Sequence, residues 1–176
     1  MPNKLNREYN QLRLNKVWCS DITYIRTATG WSYLATVFDL GTKEVVGHAM
    51  SQTADTDLVI KALDHAIGKH IPKTKQLMFH SDQGCQYTSK KLRKFLKERK
   101  ITQSMSWRGN CWDNVVQERF FRNLKFEYLD DLVLLNHHAA ELAVERYIRY
   151  YNNIRLNSAI GYKTPLQKRK ELQKTG

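Results

Sequence analysis

The sequence predicts an α/β domain on a five-stranded mixed sheet, with three antiparallel strands first and helices on both faces. Three strand-like segments come first and are joined by short turns, which is typical of an antiparallel meander. The periodicity then changes, and helical segments alternate with two further strand-like segments. The predicted order is therefore β-β-β-α-β-α-β-α-α.

The first three strands are predicted between residues 17 and 51. Residues 17–27 alternate along the chain, as expected of a strand with two different faces. Residues 31–40 are apolar enough for a central strand buried on both faces, and a turn beginning at Asp39 ends it. Residues 44–51 complete the meander.

A helix is predicted from residue 56, where apolar residues recur at helical spacing and Asp55 or Thr56 can cap the start. Ile71 and Pro72 end this helix. The later elements are predicted as a strand at 75–82, a helix at 89–100, a strand at 101–107, and helices at 112–128 and 136–155. A turn-rich segment at 155–165 and a basic tail follow.

Composition indicates one globular domain. The chain has 176 residues, 41% of them hydrophobic and 11% aromatic. It contains no apolar run of membrane-spanning length, and its first residues lack the apolar core of a signal peptide, so we expect a cytoplasmic protein. The three cysteines are far apart and odd in number, which favours free thiols and argues against a structural zinc site.

Positive charge is concentrated in two blocks of the chain. Residues 83–129 hold 11 basic and 4 acidic residues, and residues 146–176 hold 8 and 1, within a net charge of +12. Such clustering predicts a polyanionic partner, although a solvated basic surface is the alternative. Both blocks also contain aromatic residues suited to stacking on bases, namely Trp107, Trp112, Phe120, Phe121, Tyr147, Tyr150, Tyr151 and Tyr162.

Three acids differ from the others in their setting. Asp21 lies within the first predicted strand, where a carboxylate is costly unless it faces a polar site or a metal. Asp82 ends the fourth strand, where open sheets present ligands. Glu118 lies on the helix at 112–128, beside the apolar stripe formed by Val116, Phe120 and Leu124. The first and fourth strands are natural neighbours in this order, so the three acids can converge.

Each acid also has a simpler interpretation. Asp21 could be a buried acid bonded to the backbone, and Asp82 a turn former at the strand end. Glu118 could form a surface pair with Arg122 one turn later. Asp39 also ends a strand and is equally suited on local grounds.

Two other titratable residues, Asp113 and His80, are expected to have structural roles. Asp113 is favoured as a helix-start residue. His80 shares a strand face with Asp82 and is expected to be a neutral, hydrogen-bonded histidine.

Three carboxylates in one basic cleft would repel each other unless divalent cations bind between them. Oxygen ligands suit Mg²⁺ or Mn²⁺. Two such ions can activate an attacking oxygen and stabilise the leaving oxygen in a displacement at phosphorus. The sequence therefore indicates metal-dependent phosphoryl transfer on a nucleic acid.

Four motifs carry a family resemblance. They are WCSDITYI (18–25), HSDQGCQY (80–87), GNCWDN (109–114) followed by ERFF (118–121), and NSAIGYKTP (157–165). Together they resemble the transposases of two-frame bacterial insertion sequences, a family that shares the retroviral integrase core. The likeness extends from about residue 6 to residue 170.

This resemblance implies a ribonuclease H-like fold and an Asp-Asp-Glu metal triad. Carried over by motif, the triad is Asp21, Asp82 and Glu118, with the family's spacing of 35 residues between the last two. The triad would bind two divalent ions, either Mg²⁺ or Mn²⁺. Asp39 is thereby assigned a structural role, and the 157–165 motif is expected to contact DNA or a docking partner.

The resemblance also implies a domain organisation and partners. We expect an N-terminal arm (1–15), an integrase-like catalytic core (16–135), and a C-terminal helix with a basic tail packed on that core (136–176). The expected partners are the DNA element ends, a target duplex and further copies of the chain. Family members carry an upstream helix-turn-helix region for which this chain has no room, so that region would lie on a separate partner or a longer precursor, or the chain is a truncated copy.

The leading functional hypothesis is a transposase or integrase domain that cleaves DNA at insertion-sequence ends and transfers the strand. The alternatives are a hydrolytic nuclease of the same fold, or an inactive core that only binds DNA. Candidate phosphate contacts are Lys90, Lys91, Arg93, Lys94, Arg108, Arg119, Arg122, Lys125 and Lys163.

Overall fold

The computed structural model describes residues 13–70, 72, 74–106 and 115–174. The strands are β1 (Val17–Thr27), β2 (Gly30–Asp39), β3 (Glu44–Ser51), β4 (Met78–Ser81) and β5 (Thr102–Met105). The helices are α1 (Thr56–His70), α2 (Cys85–Thr88), α3 (Lys90–Glu98), α4 (Val115–Leu124), α5 (His137–Asn153) and α6 (Pro165–Lys174).

The five strands form one mixed sheet in the order β3-β2-β1-β4-β5. Strands β1, β2 and β3 pair antiparallel, as predicted. Strand β4 pairs parallel with both β1 and β5. The predicted neighbourhood of the first and fourth strands is therefore confirmed.

The sheet has a hydrophobic core on each face. Because successive strand residues point to opposite faces, β1 contributes Val17 and Cys19 to one core and Trp18 to the other. Helices α4 and α5 cover the first face, and α1 and α3 cover the second. The prediction of helices on both faces is confirmed.

Helix α1 approaches β3 very closely at Gly47. A Cβ atom at this position would lie 2.4 Å from the Ala62 carbonyl oxygen and 2.6 Å from the Ala66 Cβ. The close approach of strand and helix therefore depends on a residue without a side chain.

We expect Gly47→Ala to lower the free energy of unfolding by about 1–3 kcal/mol, because the added methyl group forces the helix away from the strand. Urea denaturation measures this change. Gly68→Ala is the matched control, since nothing lies within 4 Å of a Cβ there. That substitution should stabilise helix α1 by about 0.5–1 kcal/mol. An unchanged stability of Gly47→Ala would contradict the close packing.

Two predicted elements contain a turn of another helix type. The strand predicted at 75–82 is a 3₁₀ turn at Thr74–Gln76 followed by β4 at Met78–Ser81. The helix predicted at 112–128 ends as an α-helix at Leu124 and continues as one π-helical turn, Lys125–Leu129. Its predicted beginning lies outside the described residues, as does Asp113.

Helix α6 and the short α2 were not predicted. The basic tail after residue 165 is helical to Lys174, although only Pro165 and Arg169 of this helix are buried. Thr164 and Gln167 cap its start, each accepting the other's backbone N–H at 3.2 and 2.9 Å. This capping box was a local signal for the helix.

The described cysteines, Cys19 and Cys85, are free, as predicted. In the part of the chain that the structure describes, no helix has both the length and the apolar content needed to cross a membrane.

Candidate active site

Asp21 lies on β1, and Asp82 directly follows the neighbouring parallel strand β4. The β1–β4 register pairs Val17 with Met78 and Cys19 with His80, so two residues further on Asp21 is level with Asp82. Neighbouring strands are about 4.8 Å apart. Because β4 ends at Ser81, Asp82 begins the connection that leaves the carboxyl end of the strand.

Asp21 is an electrostatically strained acid. Its pKa is raised to about 7, mainly by burial and also by the charges of Asp82 and Glu118, against the hydrogen bond from the Ile22 N–H. That N–H donates to Asp21 Oδ1 at 2.8 Å, so the backbone-bonded interpretation is correct for one oxygen. The charges of both other acids therefore act on Asp21.

The raised pKa of Asp21 makes the stability of the metal-free protein depend on pH. This carboxyl has an ordinary pKa of 3.8 but titrates near 7 when folded. The protonated carboxyl therefore contributes fully to the free energy of unfolding below about pH 4, and this contribution is lost as the pH rises through about 7. We expect Asp21→Asn to unfold at higher urea than wild type at about pH 8 and at similar urea near pH 4, measured with EDTA. Parallel pH profiles for the two proteins would contradict the raised pKa.

Asp82 forms the turn that the simpler interpretation predicted. Its Oδ1 accepts the Gly84 N–H at 3.0 Å. A Cβ atom on Gly84 would lie only 3.1 Å from the same oxygen, so a glycine suits this turn. The turn engages Oδ1 and orients the carboxylate at the strand end.

Glu118 projects from a helix whose other side is anchored in the core. Phe120 and Leu124 are buried and Val116 packs beside them, which confirms the predicted apolar stripe. Glu118 itself is exposed. It forms no ion pair or hydrogen bond with any described residue, so the predicted alternative of a surface pair with Arg122 is not observed.

Within the described ranges, no group of three His, Cys, Asp or Glu side chains is spaced to hold a metal ion. The described residues therefore contain no preformed ligand set that includes all three acids. Asp21 and Asp82 are fixed by the sheet and the turn, whereas Glu118 lies on a helix in a separate layer.

Asp39 has the contacts of a structural acid. It is fully buried and accepts hydrogen bonds from the Asn15 N–H at 2.6 Å and the Thr42 N–H at 3.0 Å. The Trp18 indole N–H donates to it at 3.3 Å. These bonds close the start of β1 against the β2–β3 turn.

Two buried residues beside the acids were missed by sequence reasoning. Thr36 pairs with Asp21 across β1 and β2, so their side chains share one face. Its hydroxyl is fully buried and finds no partner among the described residues. Gln117, next to Glu118, is also fully buried, and neither atom of its amide finds a hydrogen-bond partner among the described residues. Only the strand register and the helix docking reveal these neighbours.

His80 is fully buried, and its Nδ1 lies 3.0 Å from Ser104 Oγ. The prediction that it is hydrogen-bonded is confirmed.

The predicted phosphate contacts do not form one surface. Exposed cations on α3 lie on the sheet face opposite α4, and they are Lys90, Lys91, Arg93 and Lys94. Arg119 and Arg122 are exposed on α4 beside Glu118, and Lys125 is half-buried in the following turn. Arg108 lies outside the described residues.

Three of these cations are already paired. Lys91 pairs with Asp57, Lys94 approaches Glu98 at 3.9 Å, and Lys163 lies 2.5 Å from Glu171. Arg119 and Arg122 form no such pair with the described residues. Position and pairing together favour the two α4 arginines as the cations of the site.

The expectation that Phe120 and Phe121 stack on bases is wrong. Both are buried, because they belong to the side of α4 that packs on the sheet. Of the other aromatic residues considered, Tyr147 and Tyr151 are buried, Tyr150 and Tyr162 are exposed, and Trp107 and Trp112 lie outside the described residues.

Comparison with known protein families gives two matches along the chain. A family model described as "Integrase core domain" matches residues 11–111. A second model of the same description matches residues 99–165. Together they span the positions of Asp21, Asp82 and Glu118.

Curated relatives are bacterial transposases. The chain is 37% identical over 93% of its length to "Transposase for insertion sequence element IS904" of Lactococcus lactis subsp. lactis (strain IL1403). It is 38% identical over 97% of its length to "Putative transposase InsK for insertion sequence element IS150" of Escherichia coli (strain K12). The chain spans 65% and 60% of the lengths of these two relatives.

Solved structures with the same architecture include viral integrases. The HTLV-2 integrase catalytic core domain in complex with magnesium (trimeric form) matches with a TM-score of 0.70 at 19% identity, over 89% of this chain and 97% of that one. The BIV integrase catalytic core domain gives 0.64 at 21% identity, over 92% and 97%. The fold is therefore ribonuclease H-like, as the sequence resemblance implied.

Proposed function

The chain belongs to the integrase core domain family, and on that premise we propose that it is the catalytic domain of a bacterial insertion-sequence transposase. It would cleave phosphodiester bonds at element ends and transfer the freed strand to a target, in reactions that require a divalent metal. The observation that carries this proposal is the strand register that brings Asp21 beside Asp82, whose charge, with that of Glu118, raises the pKa of Asp21. The net charge of +12 suits a DNA substrate.

The donor chemistry of the three acids fits a divalent metal. Burial and two neighbouring carboxylates disfavour the charged form of Asp21, and a bound cation would relieve that cost. All three residues offer oxygen ligands, which suit Mg²⁺ or Mn²⁺. The related fold of the HTLV-2 integrase core was solved with magnesium. We propose that Asp21 and Asp82 hold two ions jointly and that Glu118 turns toward them to complete one ligand set.

When bound, such ions would increase the nucleophilicity of an attacking oxygen and offset charge on the phosphate and leaving group. The protein side chains position that chemistry. The turn at Gly84 orients Asp82, and the sheet fixes Asp21 beside it. Arg119 and Arg122 lie exposed on the same helix as Glu118 and would hold the DNA backbone.

The two chemical steps balance without an energy source. In the first step, water attacks a phosphodiester at the element end, the bond to the 3′ oxygen breaks, and a 3′-hydroxyl and a 5′-phosphate result. In the second step, that 3′-hydroxyl attacks a phosphodiester of the target and displaces a 3′-hydroxyl there. In this second step one phosphodiester forms as another breaks. Both steps are displacements at phosphorus, so the same acids can serve both.

The partners we propose are DNA and further copies of this chain. The HTLV-2 integrase core was solved in a dimeric form and a trimeric form, and a simian T-cell lymphotropic virus integrase in an intasome. Because the relatives are longer than this chain, we also propose that recognition of the element ends requires an upstream DNA-reading domain or a separate partner.

The assay that tests this function supplies an element-end duplex with a free 3′-hydroxyl, a target duplex and Mg²⁺. Strand transfer gives joined products longer than either input. A hydrolytic nuclease would give shorter products only, and an inactive DNA-binding core would give neither. Either of the last two results, obtained with the upstream domain supplied, would overturn the proposal.

A further inference from the structure

The outer half of the β1–β2 hairpin is covered by protein on one face only. Ile25 belongs to the first core, and Ser32 Oγ lies 2.9 Å from His137 Nδ1 of α5. On the opposite face, Ile22 and Tyr33 still pack against the second core. Beyond these two residues, that face of the hairpin extends past the α1 and α3 layer.

Two aromatic side chains lie on this uncovered face. The register pairs Tyr24 with Tyr33 and Arg26 with Trp31, so all four side chains point to the same side. Tyr24 is 58% exposed and Trp31 is 47% exposed. Their ring centroids are 5.3 Å apart with an interplanar angle of 85°, so the two rings pack edge to face and form one exposed aromatic surface.

Two cations accompany the aromatic pair. The Arg26 guanidinium lies 5.6 Å from the centre of the Trp31 ring, and Lys125 Nζ lies 4.6 Å from the centre of the Tyr24 ring. Neither cation forms a salt bridge with the residues that the structure describes. The cluster therefore combines exposed aromatic surface with two cations that form no close ion pair among the described residues.

This aromatic-cation cluster lies further along the elements that carry two of the acids. Tyr24 follows Asp21 by three residues on β1, about 10 Å along the strand, and its side chain points to the opposite face of the sheet. Lys125 follows Glu118 by seven residues, which is also about 10 Å along a helix. Strand β4 pairs with β1 only as far as Cys19, so the edge of β1 between Asp21 and Tyr24 has no strand partner among the described residues. The cluster thus continues the elements that carry two of the acids.

We propose that Tyr24 and Trp31, with Arg26 and Lys125, form a stacking platform for an unpaired base of the bound DNA. The inference rests on the proposed function, whose substrate it specifies as locally unpaired DNA. Bases within a duplex stack on one another, and only an unpaired base offers a free face to an aromatic side chain. The two cations suit the phosphates on either side of that base, whereas an apolar protein partner would leave them without a role.

The test compares binding of the full chain, in EDTA, to three fluorescent probes. They are a 12-nucleotide single strand, the same strand with abasic sites at its centre, and the corresponding duplex. Wild type should prefer the strand with bases over the abasic strand. Tyr24→Leu and Trp31→Leu should each reduce that preference by about 5-fold to 150-fold while leaving abasic binding nearly unchanged. Tyr24→Phe should retain the preference, and Lys125→Gln should weaken binding to all three probes alike.

Tyr150→Leu is the matched control, because it removes an aromatic side chain of similar exposure on α5 and should keep the preference. Thermal melting establishes that each variant is folded. Equal binding of wild type to base-containing and abasic strands would overturn the platform, as would a preference that survives in both Tyr24→Leu and Trp31→Leu. The assay involves no metal and no bond cleavage, so its result is independent of whether the strand-transfer assay succeeds.

Discussion

Replacing Glu118 by Gln is expected to reduce Mg²⁺-dependent nicking of DNA by at least about 10³-fold while leaving DNA affinity nearly unchanged. The substitution keeps the size of the side chain and removes its negative charge, which strengthens the binding of a divalent ion. A loss of this size corresponds to about 4 kcal/mol of transition-state stabilisation, in the range that a metal can supply. Single-turnover nicking of a plasmid measures the rate, and fluorescence anisotropy measures the affinity.

Glu98→Gln provides the matched control for net charge. Glu98 is exposed on α3 and makes only a long contact of 3.9 Å with Lys94. The Glu98→Gln substitution raises the net charge by the same amount as Glu118→Gln, but the residue lies on the opposite face of the sheet. We expect it to nick DNA at the wild-type rate. Undiminished nicking by Glu118→Gln would remove Glu118 from the site.

Arg169→Met is expected to lower the free energy of unfolding by about 3–5 kcal/mol. The Arg169 guanidinium of α6 donates to the carboxylate of Glu44 at the start of β3, and both side chains are buried. His70 Nε2 is also close to Glu44, at 3.8 Å. Without Arg169 the carboxylate is buried without its main cationic partner. Urea denaturation at neutral pH measures the loss.

The pKa of Glu44 gives this prediction a pH dependence. Burial raises that pKa and Arg169 lowers it, so Glu44 of the Arg169→Met protein should protonate at higher pH than in wild type. The stability difference should therefore shrink as the pH falls through the acidic range. Lys170→Met, an exposed change on the same helix, should remain within about 0.5 kcal/mol of wild type. Wild-type stability of Arg169→Met would show that the ion pair does not anchor α6.

Local sequence patterns were sufficient for the sheet but not for the C-terminal helix. Alternation and turn residues located β1, β2 and β3, because each strand has faces of different burial. Helix α6 has almost no apolar face, and its anchor is Glu44, 125 residues earlier in the chain. A contact of that separation leaves no periodic pattern, and only the capping residues before and within the helix indicate it.

The candidate site was predictable in part. Local setting singled out Asp21 and Asp82 but left Asp39 equally suited, and the family resemblance decided among them. The strand register now gives a physical reason, since it sets Asp82 beside Asp21, whereas Asp39 is enclosed by hydrogen-bond donors. The assignment of the three acids as metal ligands stays a prediction.

The aromatic surface could not be predicted from the sequence. Phe120 lies in a basic block and is buried, whereas Tyr24 lies on an ordinary strand and is exposed. The difference depends on where the helical layers end over the sheet, which is a property of the packed fold.

A Mn²⁺ titration followed by electron paramagnetic resonance tests the convergence of Asp21, Asp82 and Glu118 most directly. It would use wild type beside Asp21→Asn, Asp82→Asn and Glu118→Gln, at a pH above 7 so that the Asp21 carboxyl is ionised. We expect wild type to bind Mn²⁺ and each substitution to weaken that binding by at least about tenfold. Mn²⁺ affinity that is the same in all four proteins would contradict a metal site built from these three acids.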